Sequence, residues 1–122
     1  MAGSGILVQN TAVSLAVSAY NADASATATA LTAGINEVTA SAADTDSVIL
    51  PAGQPRGSVI YVFNRDASQD IKVWPNTGAT MNGGTASTAA VTVGQTQGLI
   101  CVQAGTDGLT WLCFLGAVCT AS

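Results

Sequence analysis

Histidine is absent from this 122-residue sequence, and charge is scarce. Without an imidazole there is no triad base, no His-bearing zinc site and no His pH switch. Charged residues make up 8% of the chain, against about 25% in an ordinary soluble domain. The cations number three, Arg56, Arg65 and Lys72, within a net charge of −4. Phosphate contacts need clustered Lys and Arg, so nucleic-acid binding through a basic patch is not expected. No apolar run reaches the about 20 residues of a spanning helix. The stretch from Met1 to Ala22 is broken by Gln9, Asn10, Thr11, Ser14, Ser18 and Asn21, and Leu109 to Val118 is too short. Met1 to Gly5 lacks the basic start of a signal peptide, so neither membrane nor export is expected.

What is present is small. Ala (22), Thr (15), Gly (13) and Ser (10) supply about half of the residues. A length near 120 suits one domain that buries roughly two thirds of its unfolded surface. Freely dissolved monomers usually carry more surface charge to stay apart. A weakly charged chain of positive mean hydropathy therefore reads as a component of an assembly, covered on its outside by other protein.

The three cysteines, Cys101, Cys113 and Cys119, are odd in number and spaced by 12 and 6. That matches neither a disulfide framework nor a metal pattern. Cys101 and Cys113 lie in apolar segments and read as small core hydrophobes, and all three thiols read as reduced, made in a cytoplasm. A Cys113–Cys119 link or an intersubunit bond is the alternative.

Along the chain, residues 1–30 read as an N-terminal arm and linker, and residues 31–122 as the body. Ile6, Leu7 and Val8 form an apolar knot before the turn at Gln9 to Thr11. From Ala12, Val13, Leu15, Val17 and Ala19 alternate with Ser and Ala, which predicts a strand or an arm that joins another subunit's sheet. The Ala content also permits a helix. Asn21 to Ala30, nearly all Ala, Ser and Thr, has no large side chain to bury and reads as an extended linker.

In the body, strands are predicted over Gly34–Thr39, Asp46–Leu50, Ser58–Phe63 and Asp70–Trp74. A short piece at Ala79–Met81, a weak strand over Thr88–Val93, and strands over Gly98–Gln103 and Leu109–Leu115 follow. Ser58–Phe63 is apolar on both faces and is expected to be central, covered on both sides. In Asp70–Trp74, Ile71 and Val73 point inward, Lys72 and Trp74 outward, and Pro75 ends the strand. Asp107-Gly108 signals the hairpin between the last two strands. Eight or nine strands at such spacing, without an amphipathic helix, indicate an all-β fold: an antiparallel β-sandwich or jelly-roll-like domain with an extended N-terminal arm.

The residues that could carry chemistry are few. Asp44 and Asp46 could serve a hydrolase or calcium, but two oxygen-bearing side chains are too few for a calcium loop, and a polar turn explains them. Asp66 and Asp70 flank a turn whose own hydrogen bonds account for them. No nucleophile elbow or phosphate loop occurs. Neither catalysis nor a cofactor or metal is expected. Trp74 is the candidate exposed anchor, able to stack on a host-surface glycan or to hold an interface; packing on a loop of its own chain is the bland alternative. Trp111 is expected in the core.

Several motifs carry a family resemblance. They are Leu31-Thr-Ala-Gly-Ile-Asn36, Asp46-Ser-Val-Ile-Leu-Pro51, Gly57-Ser-Val-Ile-Tyr-Val-Phe-Asn64, Ile71-Lys-Val-Trp-Pro75, Gly78-Ala-Thr-Met-Asn-Gly83 and Gly105-Thr-Asp-Gly-Leu-Thr-Trp-Leu112. From about Leu31 to Phe114 the chain resembles a small β module that recurs among structural proteins of tailed bacteriophages. That family usually has Tyr-Pro where Trp74-Pro75 stands, and Ile-Asn-Gly where Met81-Asn-Gly83 stands. The resemblance implies a capsid cement (decoration) protein. Such a protein would be a homotrimer on the outer surface of the virion head, binding the major capsid protein without catalysis. Ile6, Leu7, Val8, Val13, Leu15 and Val17 would line the arm's interface. A tail or fibre module of the virion and a glycan-binding β module are the alternatives.

Overall fold

The computed structural model describes residues 13–18, 28–41, 46–82 and 90–116. Within them lie ten strands and no helix, so no helix is long and apolar enough to cross a membrane. The strands are β1 (Val13–Ser18), β2 (Thr29–Ala30), β3 (Ile35–Ala40), β4 (Ser47–Ile49) and β5 (Val59–Asn64). They continue as β6 (Ile71–Trp74), β7 (Thr80–Met81), β8 (Val91–Val93), β9 (Gly98–Gln103) and β10 (Thr110–Leu115). Six form one sheet in the order β1-β3-β5-β9-β10-β7, and four form a second in the order β2-β4-β6-β8.

The fold is all-β, as its alternating pattern predicts, but the sheets are mixed rather than antiparallel. From β1 to β6 successive strands alternate between the two sheets, and each lies parallel to the strand two earlier in the chain. The chain therefore coils through both sheets, and the opposing sheet supplies the crossover that parallel neighbours require. Antiparallel pairing enters only with β8 against β6 and with β9 against β5 and β10. That corrects the antiparallel, jelly-roll expectation. The Pro51–Pro55 segment and the Asn64–Ser68 turn carry the chain to the other sheet instead of folding it back. Turn composition marks where a strand stops and is silent on which strand comes alongside.

The buried faces of both sheets share one hydrophobic cluster. The larger sheet contributes Val38, Ile60, Val62, Leu99, Cys101 and Trp111, and the smaller Val48, Ile71, Val73 and Val93. β5 is central, as its composition predicts, between β3 and β9. On its inner face Ile60 and Val62 are buried. The expected cover on both sides is incomplete on the outer face, where Val59 and Tyr61 are half-buried and Phe63 is exposed.

With so few large side chains, buried carboxamides carry the corners. Asn64 Nδ2 donates to Gln69 O (2.9 Å) and to Val93 O and Gly94 O (both 3.2 Å), and its Oδ1 accepts from Asp66 N (3.0 Å). One side chain thus holds the β5–β6 crossover against the end of β8. Gln103 Oε1 accepts from Gly105 N (2.9 Å) and Thr110 N (3.0 Å), which closes the β9–β10 hairpin from inside. At the tip Asp107 Oδ1 accepts from Leu109 N (3.0 Å), and Gly108 takes a φ of +75° that a side chain rarely adopts. Asn76 Oδ1 accepts from Trp111 Nε1 (2.7 Å) within the core.

Trp111 is fully buried, as expected, and its indole N–H is committed to Asn76. Trp111→Phe removes that donor, strands the Asn76 carbonyl and leaves a void. It is expected to lower unfolding free energy by about 2–4 kcal/mol, read from urea denaturation, while the variant still folds.

Candidate functional site

Among the described residues, the Asp66 and Asp70 carboxylates are held by loop hydrogen bonds. Asp66 Oδ1 accepts from Ser68 N (2.8 Å) and Gln69 N (2.9 Å), and its Oδ2 accepts from Ser41 N (3.2 Å). The Ser68 and Gln69 amides hold this carboxyl below the ordinary 3.8, with the Ser41 amide adding to them and desolvation opposing all three. Asp70 Oδ1 accepts from Gln95 Nε2 (3.2 Å), and Asp70 O accepts from Ser41 Oγ (3.2 Å). Asp66 makes the turn's own hydrogen bonds, as the sequence reading holds, whereas the Asp70 carboxylate reaches Gln95 in the loop after β8. Asp46 is buried beside β4, its carbonyl accepting from Lys72 N (2.9 Å), and Asp44 lies outside the described residues. Among the described residues no group of three His, Cys, Asp or Glu side chains gathers as metal ligands would.

Trp74, expected as an exposed anchor, is buried at 7% exposure. Strand parity does direct it away from Ile71 and Val73, and the pairing sets it beside Ile49. However, β6 ends there, Pro75 and Asn76 are buried too, and the chain itself covers the indole. Stacking on a sugar needs an open ring face, so a glycan site built on Trp74 is ruled out.

The expected arm residues divide. Ile6, Leu7 and Val8 lie outside the described residues. Val13, Leu15 and Val17 stand on β1, a strand as the alternation predicts, which pairs in parallel with β3 of its own chain. β1 is an edge of the six-stranded sheet, and β3 is its partner among the described strands.

The feature that strand parity does assemble is an apolar sheet face. On the side of the larger sheet turned from the core, the pairing sets Ile35, Tyr61, Ile100 and Phe114 in one row across four strands. A second row runs Val59, Val102, Leu112. In a third, Phe63 stands opposite Gly98, whose missing Cβ would lie 2.8 Å from Phe63 Cε1. The glycine leaves the aromatic ring room to lie over the neighbouring strand. Phe63, Ile100, Leu112 and Phe114 are all exposed, Phe114 at 60%. Among the outward positions described on β3, β5, β9 and β10, Glu37 alone is charged. It is bridged to Arg65 Nη1 at 2.6 Å. Monomeric proteins keep such contiguous apolar surface small, and larger patches mark interaction sites. The signal was available in the sequence as apolar residues on both parities of the Ser58–Phe63, Gly98–Gln103 and Leu109–Leu115 strands.

No family model matches the chain, and neither a curated protein nor a solved structure does.

The Asp66 turn yields a test of sign. Because its folded pKa lies below 3.8, the stability this carboxylate adds is complete above 3.8 and is lost as pH falls through the lower folded value. Asp66→Asn is therefore expected to be less stable than wild type at neutral pH, with the gap narrowing under acid. Urea midpoints that differ equally at neutral and strongly acid pH would contradict this assignment.

Proposed function

We propose that this chain is a structural component of a phage particle: a capsid cement protein, homotrimeric, seated on the outer surface of the head. The observation that carries the reading is the exposed, nearly uncharged face of the six-stranded sheet, with Phe63, Ile100, Leu112 and Phe114 at its centre. The motif resemblance between Leu31 and Phe114 supports it from the sequence side, and the low charge of the whole chain agrees with it.

In this reading the two sheets are the layers of a β-sandwich, and the apolar face is where copies of the chain meet. The residues ahead of β1 act as an arm: β1 fastens its root to β3, β2 at Thr29–Ala30 belongs to the smaller sheet rather than to a linker, and Ile6, Leu7 and Val8 supply apolar contact to the major capsid protein beyond. At about 25 cal/mol per Å² before association costs, burial of about 1,000 Å² per contact is enough to brace a shell. Repetition around the head turns modest contacts into avidity.

Sedimentation equilibrium of the full chain is expected to give a trimer. Phe114→Asp places an unpaired charge in the apolar row and is expected to weaken self-association by at least about tenfold, with the far-UV circular dichroism unchanged. The trimeric wild type is further expected to raise the heat resistance of purified heads of the encoding phage when added to them. A chain that stays monomeric and leaves such heads unaltered would overturn the proposal.

A further inference from the structure

Cys101 on β9 and Cys113 on β10 stand directly opposite one another in the antiparallel ladder. In that ladder Ala104 N donates to Thr110 O (2.8 Å) and Gly116 N donates to Gly98 O (2.9 Å). Hydrogen-bonded and non-hydrogen-bonded pairs alternate, so Cys101 and Cys113 fall in the non-hydrogen-bonded class, where Cα atoms approach to about 4.5 Å. The Cys113 amide accordingly turns away from β9 and donates to Asn82 Oδ1 (2.9 Å). Both side chains enter the core, and their Sγ atoms lie 3.1 Å apart.

A disulfide needs Cα atoms about 4.4–6.8 Å apart and side chains that converge, and the narrow pair meets both conditions. We infer that Cys101 and Cys113 form a modification site, joined by small oxidants into a cross-strand disulfide that clamps the β9–β10 hairpin. The oxidant is a low-molecular-weight disulfide that can reach two buried thiols. One cysteine thiolate attacks it, forming a mixed disulfide and expelling one small thiol. The second thiolate then attacks the bound cysteine sulfur, the S–S bond closes and a second small thiol leaves. Two S–H bonds are lost from the protein, and its two electrons reduce the oxidant's S–S bond.

The hydrogen bond to Cys113, followed by burial, pushes the Cys101 thiol well above its usual pKa. Cys101 thiolate is therefore scarce at neutral pH, and the exchange runs faster in alkali. Nothing in this assignment depends on a role in a particle.

The test treats the full chain with oxidised glutathione in mildly alkaline buffer. The expected product is lighter by two hydrogens and keeps one alkylatable thiol after unfolding. Cleavage before Asp107 separates Cys101 from both other cysteines, so a linked fragment pair shows a bond that spans the hairpin. Cys119→Ser is expected to give the same linked pair with no thiol left, whereas Cys101→Ser and Cys113→Ser give none. The oxidised chain is expected to melt roughly 10 °C higher, and reductant should reverse the shift. Three alkylatable thiols after treatment, stable glutathione adducts on Cys101 or Cys113, or a link lost in Cys119→Ser would each overturn the inference.

Discussion

Every backbone amide and carbonyl that the fold buries at a crossing between sheets must find a partner, and this constraint shapes the molecule. Strands satisfy their own backbone; corners do not. A chain built from Ala, Gly, Ser and Thr has few bulky residues with which to fill the space under a corner. Asn64 and Gln103 solve both problems at once, since a buried carboxamide occupies core volume and replaces missing ladder bonds. Asn36 does the same between Ala33 O (2.9 Å) and Tyr61 O (3.2 Å). Asn82 extends the idea, as its side chain accepts from Cys113 N (2.9 Å) and donates to Cys113 O (3.2 Å), standing in for a further residue of β7. Loss of one partner would leave the other desolvated and unpaired, which is the costly half of a hydrogen bond.

The same economy explains the two faces of the larger sheet. Its inner face meets the smaller sheet and carries the core. The outer face has no layer of its own chain among the described residues, yet it is built from Tyr61, Phe63, Ile100 and Phe114 rather than from charge. A monomer in water gains nothing from that choice, whereas a surface destined for other protein does. The proposal of a particle component rests on this asymmetry, together with the resemblance of the strand motifs.

Period-2 alternation made the strands readable from the residues: Ile71 and Val73 inward on β6, and the mixed apolar run of β5 at the centre. Strand partners were not readable, because Asn64–Ser68 has the composition of a hairpin turn and performs a crossing. Trp74 shows a related gap. Parity tells which way a side chain leaves the sheet and says nothing of what lies above it. Asn64 follows Ile60 and Val62 on the inward parity, and that spacing was a usable sign of a buried amide. Cys101 and Cys113 are equidistant from Asp107, the turn residue, so their meeting across the hairpin was also present in the spacing.

The coiled course of the first six strands has a bearing on how the molecule is made. β3 waits for β5, and β5 for β9, so each sheet is completed by chain that is synthesised much later. Pairings so distant in sequence slow folding, because loop closure must be met before the contacts reward it. Until the final hairpin arrives, β5 presents an unpaired, apolar flank at the ribosome. Among the described strands the local pairing is the Asp107-Gly108 hairpin, which can close by itself and supply that flank ready-made.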